Sequence, residues 1–125
     1  MVDRFKASWI YTALRGIMMM YRNADAEPVQ ALPGIVRRTL IEGKSMMICE
    51  FTLEMGAQIP THDHPQEQVG YLVSGKIRVI VDGKGVELNP GDCYCVLPNV
   101  PHSAEILARS VAVDTFSPPR EDYRV

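Results

Sequence analysis

Most of this chain is a succession of short runs in which apolar and polar side chains alternate. That period of two restricts it to β-structure. Met47, Cys49, Phe51, Leu53 and Met55 alternate with Ile48, Glu50, Thr52 and Glu54, giving one apolar face and one mixed face. Tyr71 and Val73 lead to Ser74-Gly75, after which Ile77, Val79 and Val81 alternate with Lys76 and Arg78. Asp82-Gly83 has the composition of a hairpin turn, because glycine accepts positive φ. A second turn is expected at 89–92, a strand at 93–97, a proline-rich turn at 98–101, and strands at 102–107 and 111–116. A polar, proline-broken tail, 117–125, follows. From Gly34 onward this predicts roughly eight or nine strands, no helix after residue 28, and one small all-β barrel. Arg37-Arg38 reads as a charged strand edge that discourages edge pairing. Met46, Met47 and Met55 read as core fillers, and Tyr71 as core or interface.

Residues 1–27 differ. Trp9, Ile10, Leu14, Ile17 and Met18 recur at helix-like spacing, so a short N-terminal extension, 1–27, precedes a barrel and tail at 28–125. The longest apolar run there, 17–21, is shorter than the ~7–15 residues of a secretory signal. Met18-Met19-Met20 allows a second reading in which the native start lies there. At 125 residues the chain is expected to be one domain. A net charge of −2 argues against binding nucleic acid, which rests on an excess of Lys and Arg. No apolar run reaches the ~18–20 residues of a membrane span. Three cysteines, Cys49, Cys93 and Cys95, make no disulfide framework, so a reducing, cytoplasmic setting is expected. Cys93 and Cys95 could compete as soft ligands, but buried cysteine usually packs as a small hydrophobe, the role expected of them.

The chain has only three histidines, and their placement is informative. His62 and His64 are two apart, so on a strand their rings share a side, and Gln68 has the same parity. His102 follows a proline-rich turn, where a barrel can bring a strand start beside the first pair. Three neutral imidazoles suit one divalent transition ion, Ni, Zn, Mn, Fe or Cu, and the Gln68 amide oxygen offers a fourth, uncharged ligand. Four protein ligands in an octahedral field leave two positions open, as a catalytic site requires. Metal loading should then weaken at low pH as the histidines protonate.

These residues also carry a resemblance. GAQIPTHDHPQEQVGYLVSG resembles the first motif of the cupin family, and PGDCYCVLPNVPHS the second. The resemblance implies a double-stranded β-helix, the cupin jelly-roll barrel, over the motif region 56–103. The sequence departs from the pattern at Gln68, where the family has an acid, at Leu97 for Pro, at Asn99 for Gly and at Ile106 for Asn. Asn tolerates the left-handed conformation best among non-glycine residues, so the turn at Asn99 should survive. VAVDTFSPPREDYRV, with HDHPQEQVGYLVSG and VLPNVPHS, is similar to the RmlC-like, single-domain cupins of the KdgF type, which act in pectin and alginate breakdown. That likeness covers about residues 34–125.

It implies opening of 4,5-unsaturated monouronates to linear keto-uronates. It places the metal ligands at His62, His64, Gln68 and His102, and the active-site acid, aromatic and arginine at Asp114, Phe116 and Arg120. The residues themselves leave plainer roles open: Phe116 as core, and Arg120 as a tail salt bridge to Glu121 or Asp122. A Gln in place of an acid leaves a bound ion more net positive charge, which favours Lewis-acid work or an anionic substrate. The expected partner is a small sugar acid, with no membrane and no nucleic acid, and family analogy adds a homodimer. The alternatives are a metal-dependent dioxygenase and a non-catalytic small-molecule binder, because the fold alone does not specify function.

Overall fold

The computed structural model describes residues 21–124. The helix-like spacing from Trp9 to Met18 lies outside the described residues. Among the described residues eight strands follow one another: β1 (Pro28–Leu32), β2 (Ile35–Glu42), β3 (Met47–Leu53), β4 (Gln58–His62), β5 (Glu67–Val81), β6 (Lys84–Leu88), β7 (Cys93–Val96) and β8 (His102–Ser117). Short 3-10 turns, Asn23–Asp25 and Glu121–Tyr123, flank them. Among the described residues no helix is long and apolar enough to cross a membrane.

All pairings are antiparallel, and two long strands organise them. The C-terminal half of β8 lies between β3 and the start of β5, giving the order β1-β2-β3-β8-β5-β7. The N-terminal half of β8 lies between β4 and the end of β5, giving β4-β8-β5-β6. One apolar cluster joins the two halves, with Cys49, Phe51, Leu72, Ala112 and Phe116 from the first and Ile77, Val79, Leu88 and Ile106 from the second. This is the expected all-β jelly-roll. Complete burial of Leu72 or Phe116 contributes about 1.5–3 kcal/mol each.

Where the sequence suggested breaks, the long strands bend instead. Pairing of β5 with β8 continues through Ser74 and Gly75 by register shifts between Leu72 and Ile77, so 67–81 is one strand and 102–117 another. Gly75 has φ +89°, and the buried Ser110 hydroxyl accepts from the Lys76 amide at 3.0 Å and donates to the Ala108 carbonyl at 2.7 Å. A bend pinned this way lets one strand serve both halves of the barrel. Asp82 and Gly83 both have positive φ, as the two-residue hairpin requires, and Asn99 sits at φ +65°.

Several expectations about side chains need correcting. Met47 is core, but Met46 and Met55 are 50% and 72% exposed, because both lie in turns outside β3 where alternation no longer reports a face. Cys93 and Cys95 are exposed rather than packed, since β7 turns Tyr94 and Val96 inward. Tyr71 is half-exposed and does not join the core. Nor do Arg37 and Arg38 mark an open edge. Strand β2 is flanked by β1 and β3, and Arg37 shares the inward parity of Ile35 and Thr39.

Candidate metal centre

The three histidines arrive from two places in the chain. His62 ends β4 and is the cross-strand partner of His102 at the start of β8, and His64 follows in the loop before β5. Ring centroids are 4.2 Å apart for His62 and His102, 4.9 Å for His64 and His102, and 5.7 Å for His62 and His64. Their candidate ligand atoms all lie within 4.8 Å of one another, and the cluster could hold a metal ion. The Asn99 amide donates to the His64 carbonyl at 2.8 Å, tying the turn before His102 to the loop that carries His64.

The hydrogen bonds decide how each ring is oriented. Nδ1 of His62 lies 2.8 Å from the Pro60 carbonyl, Nδ1 of His64 lies 3.0 Å from that of Gln66, and Nδ1 of His102 lies 2.9 Å from that of Val100. A carbonyl only accepts, so each Nδ1 carries the proton, and in a neutral ring Nε2 holds a lone pair. The buried Nε2 of His102 has no partner, and Gln68 Oε1 lies 3.0 Å from Nε2 of His64. Two acceptors face each other there, an arrangement that a cation between them would satisfy. The residues present therefore fit a bound transition ion.

Burial holds the His64 and His102 imidazoles below the usual value of 6.5, and the Arg120 charge lowers both further. Neutral rings are what a metal requires.

Asp114 sits deeper. Its cross-strand partner on β5 is Gly70, whose partner on β7 is Tyr94, and the two side chains meet over the glycine. The Tyr94 hydroxyl donates to Asp114 Oδ1 at 2.5 Å. A Cβ on residue 70 would lie 2.1 Å from Tyr94 Cζ and 2.3 Å from Asp114 Oδ1, so only glycine fits there. Burial pushes the Asp114 carboxyl up to about 6, against hydrogen bonds from Tyr94 and Gln68 that lower it. The Tyr94 phenol is pushed up by its own burial and the Asp114 charge.

Asp114, Gln68, His62, His102, Tyr94 and Arg120 line one cavity of about 70 Å³. It adjoins an outer cleft of about 370 Å³, which shares His62, Arg120 and Tyr123 with it. Arg120 binds Asp122 through both carboxylate oxygens, at 3.2 and 2.8 Å, and its guanidinium lies 3.9 Å from the Tyr123 ring centroid. Phe116 does not reach the cavity surface. It is buried, with its ring edge-on to His64 at 5.7 Å and to Tyr123 at 5.4 Å.

Tyr94 and Tyr123 went unnoticed in the sequence. Tyr94 has the parity of Val96, a signal obscured by the flanking cysteines. Tyr123 is the sole aromatic in the polar tail, which folds back so that the Thr39 hydroxyl donates to its carbonyl at 2.6 Å.

Comparisons with known proteins agree with this fold. A family model described as Cupin domain matches residues 49–112. The pectin degradation protein KdgF of Dickeya dadantii (strain 3937) is 29% identical over 109 residues, spanning 85% of this chain and 99% of that protein. The structure of KdgF from Halomonas sp. superposes with a TM-score of 0.81 at 28% identity, covering 86% of this chain and 99% of that one. An RmlC-like cupin from Shewanella frigidimarina NCIMB 400 gives 0.80 at 32% identity, covering 84% and 95%.

Proposed function

Because the chain belongs to the cupin family, we propose that it is a metal-dependent enzyme opening 4,5-unsaturated monouronates to their linear keto form. The observation that carries this reading is the convergence of ligand atoms of His62, His64 and His102 within 4.8 Å of one another, with His62 and His102 lining one cavity together with the buried Asp114 carboxyl. Likeness to KdgF over nearly the whole of that protein supports the substrate class.

His62, His64, His102 and the Gln68 amide oxygen would hold the ion, for which Ni, Zn, Mn, Fe or Cu all suit the donor set. When bound, it would polarise sugar oxygens and add positive charge beside them. In the substrate, the ring oxygen is attached to C5 of the C4–C5 double bond. Opening breaks the C1–O5 bond as the C1 hydroxyl loses its proton, which yields an aldehyde and a C5 enol. The enol becomes a ketone when C4 gains a proton, so the product is an isomer of the substrate. Asp114, titrating at about 6, can hold or release a proton near neutrality and moves one of these. Tyr94 and Gln68 keep its carboxyl aimed into the cavity. Arg120 faces the same cavity and adds positive charge beside the uronate carboxylate, its Nε and Nη2 being held by Asp122. Phe116 acts as a positioning residue, packed behind His64 and 5.4 Å from the Arg120 guanidinium.

The test follows ultraviolet absorbance of unsaturated galacturonate and mannuronate monomers, with products identified by proton NMR. Metal-loaded protein should accelerate the loss, while metal-stripped protein and His102→Ala should not. No acceleration by the fully metallated protein would overturn the reading.

Metal loading should also respond to pH in a definite direction. With His64 and His102 lowered from 6.5, loading should hold as pH falls from neutral to that value and be lost below it, with protons displaced on binding. Metal content measured after equilibration across pH 4–8 tests this, and a flat profile would count against the three-histidine site.

A further inference from the structure

Arg37 is a buried cation that the reaction above does not use. It lies on β2 between Val29 of β1 and Phe51 of β3, is 8% exposed, and its Nε is buried without a partner. Among the described residues no carboxylate forms an ion pair with it. Its guanidinium lies 4.3 Å from the centroid of the Tyr123 ring, the ring that also carries Arg120. Stacking returns only part of the cost of taking a guanidinium out of water. The remainder points to an anion that arrives from outside.

The outer cleft is where such an anion would arrive. Arg37, Arg120, Asp122, Tyr123 and His62 all line it, so two cations, the one carboxylate already held by Arg120 and a candidate metal ligand face one space of about 370 Å³. The two arginines differ in what they have left to offer. Arg120 already commits Nε and Nη2 to Asp122, whereas Arg37 has an orphaned donor and no bound carboxylate. The Asp122 side chain is 63% exposed against 12% for Arg120, so this carboxylate reaches in from the tail. It shows that a carboxylate is accommodated beside Tyr123.

We propose that Arg37 is a binding and specificity residue of this cleft: its guanidinium, beside that of Arg120 on Tyr123, receives the carboxylate of a small sugar acid and selects acids over neutral sugars. This rests on the uronate reading above and adds the donor that Arg120 has already spent on Asp122. A planar fork suits a carboxylate in a way that an ammonium does not, so Lys at this position should substitute poorly.

The experiment measures binding rather than turnover, so that it stands apart from the reaction. Metal-loaded wild type, Arg37→Met and Arg37→Lys are titrated calorimetrically with saturated galacturonate, which has no C4–C5 double bond to react, and with neutral galactose. Wild type should prefer galacturonate. Arg37→Met should weaken galacturonate roughly 10- to 100-fold, as loss of a hydrogen bond to a charged group does, and leave galactose unchanged. Arg37→Lys should recover only part of that loss, and it carries the test should Arg37→Met not fold. Unchanged galacturonate affinity in the folded variants would overturn the proposal. So would an equal loss for both sugars, which would mark a packing role, or no binding of galacturonate by wild type. Ring opening by wild type together with unchanged affinity in the variants sinks the Arg37 role alone. A charge-selective loss without ring opening sinks the reaction and leaves the acid-selecting cleft standing.

Discussion

Asp114→Asn should lower kcat for ring opening by roughly 10²–10⁴-fold, the range expected when a positioned general acid or base is removed. The amide is nearly isosteric with the carboxyl and still offers an oxygen to the Tyr94 hydroxyl, so the pocket should keep its shape. What it cannot do is exchange a proton near neutrality, where the buried carboxyl titrates at about 6. Metal content and thermal midpoint should stay close to wild type, and those controls separate a chemical role from a structural one. A variant retaining activity within about tenfold, fully loaded with metal, would remove Asp114 from the proton-transfer step.

The largest effect on stability should come from Gly75→Ala. Residue 75 has φ +89°, and an added Cβ would lie 2.1 Å from Ser110 Oγ and 2.3 Å from the Arg109 carbonyl oxygen. The conformational penalty is about 1–2 kcal/mol, and forcing a methyl group into packed backbone adds about 1–3 kcal/mol. A total of about 2–5 kcal/mol corresponds to roughly 8–20 °C in the thermal midpoint of a domain this size. Gly83→Ala is the matched control. Its φ is +75° but nothing lies within 4 Å, so only the conformational part should appear. Equal midpoints for the two variants, measured by calorimetry, would show that the contact with β8 carries no weight in the bend.

Gly75 also illustrates how the barrel could be read from sequence and where the reading stopped. Alternation at Met47–Leu53 exposed one apolar face directly, because side chains in a strand point to opposite sides in turn. The same alternation could not distinguish a turn at Ser74-Gly75 from a bend in a continuous strand. That difference lies in whether β8 keeps pairing across the glycine, a contact with residues distant in the chain. Met55 failed for a related reason. Parity assigns a face only while the strand lasts, and β3 ends at Leu53.

The candidate site divides along the same line. His62 and His64 announce themselves by spacing, and the motif around His102 by its turns, so a three-histidine cluster that could hold a metal ion was legible in the sequence. Tyr94 was not. Its role depends on Gly70, which separates it from Asp114 by one strand and leaves room for their hydrogen bond. Arg37 looked like an edge charge because sequence does not show that β1 closes the outer side of β2.

By itself, then, the sequence determined the all-β barrel, its main turns and the three-histidine cluster. The barrel and its turns follow from local periodicity and turn chemistry and the pair His62 and His64 from short spacing, while His102 was joined to them through the resemblance to the two cupin motifs. The tertiary structure alone decided that β5 and β8 run unbroken through both halves, that Tyr94 meets Asp114, and that the tail folds Tyr123 against Arg37 and Arg120. Those contacts join residues far apart in the chain, and their energies come from burial and cross-strand pairing that no local pattern records.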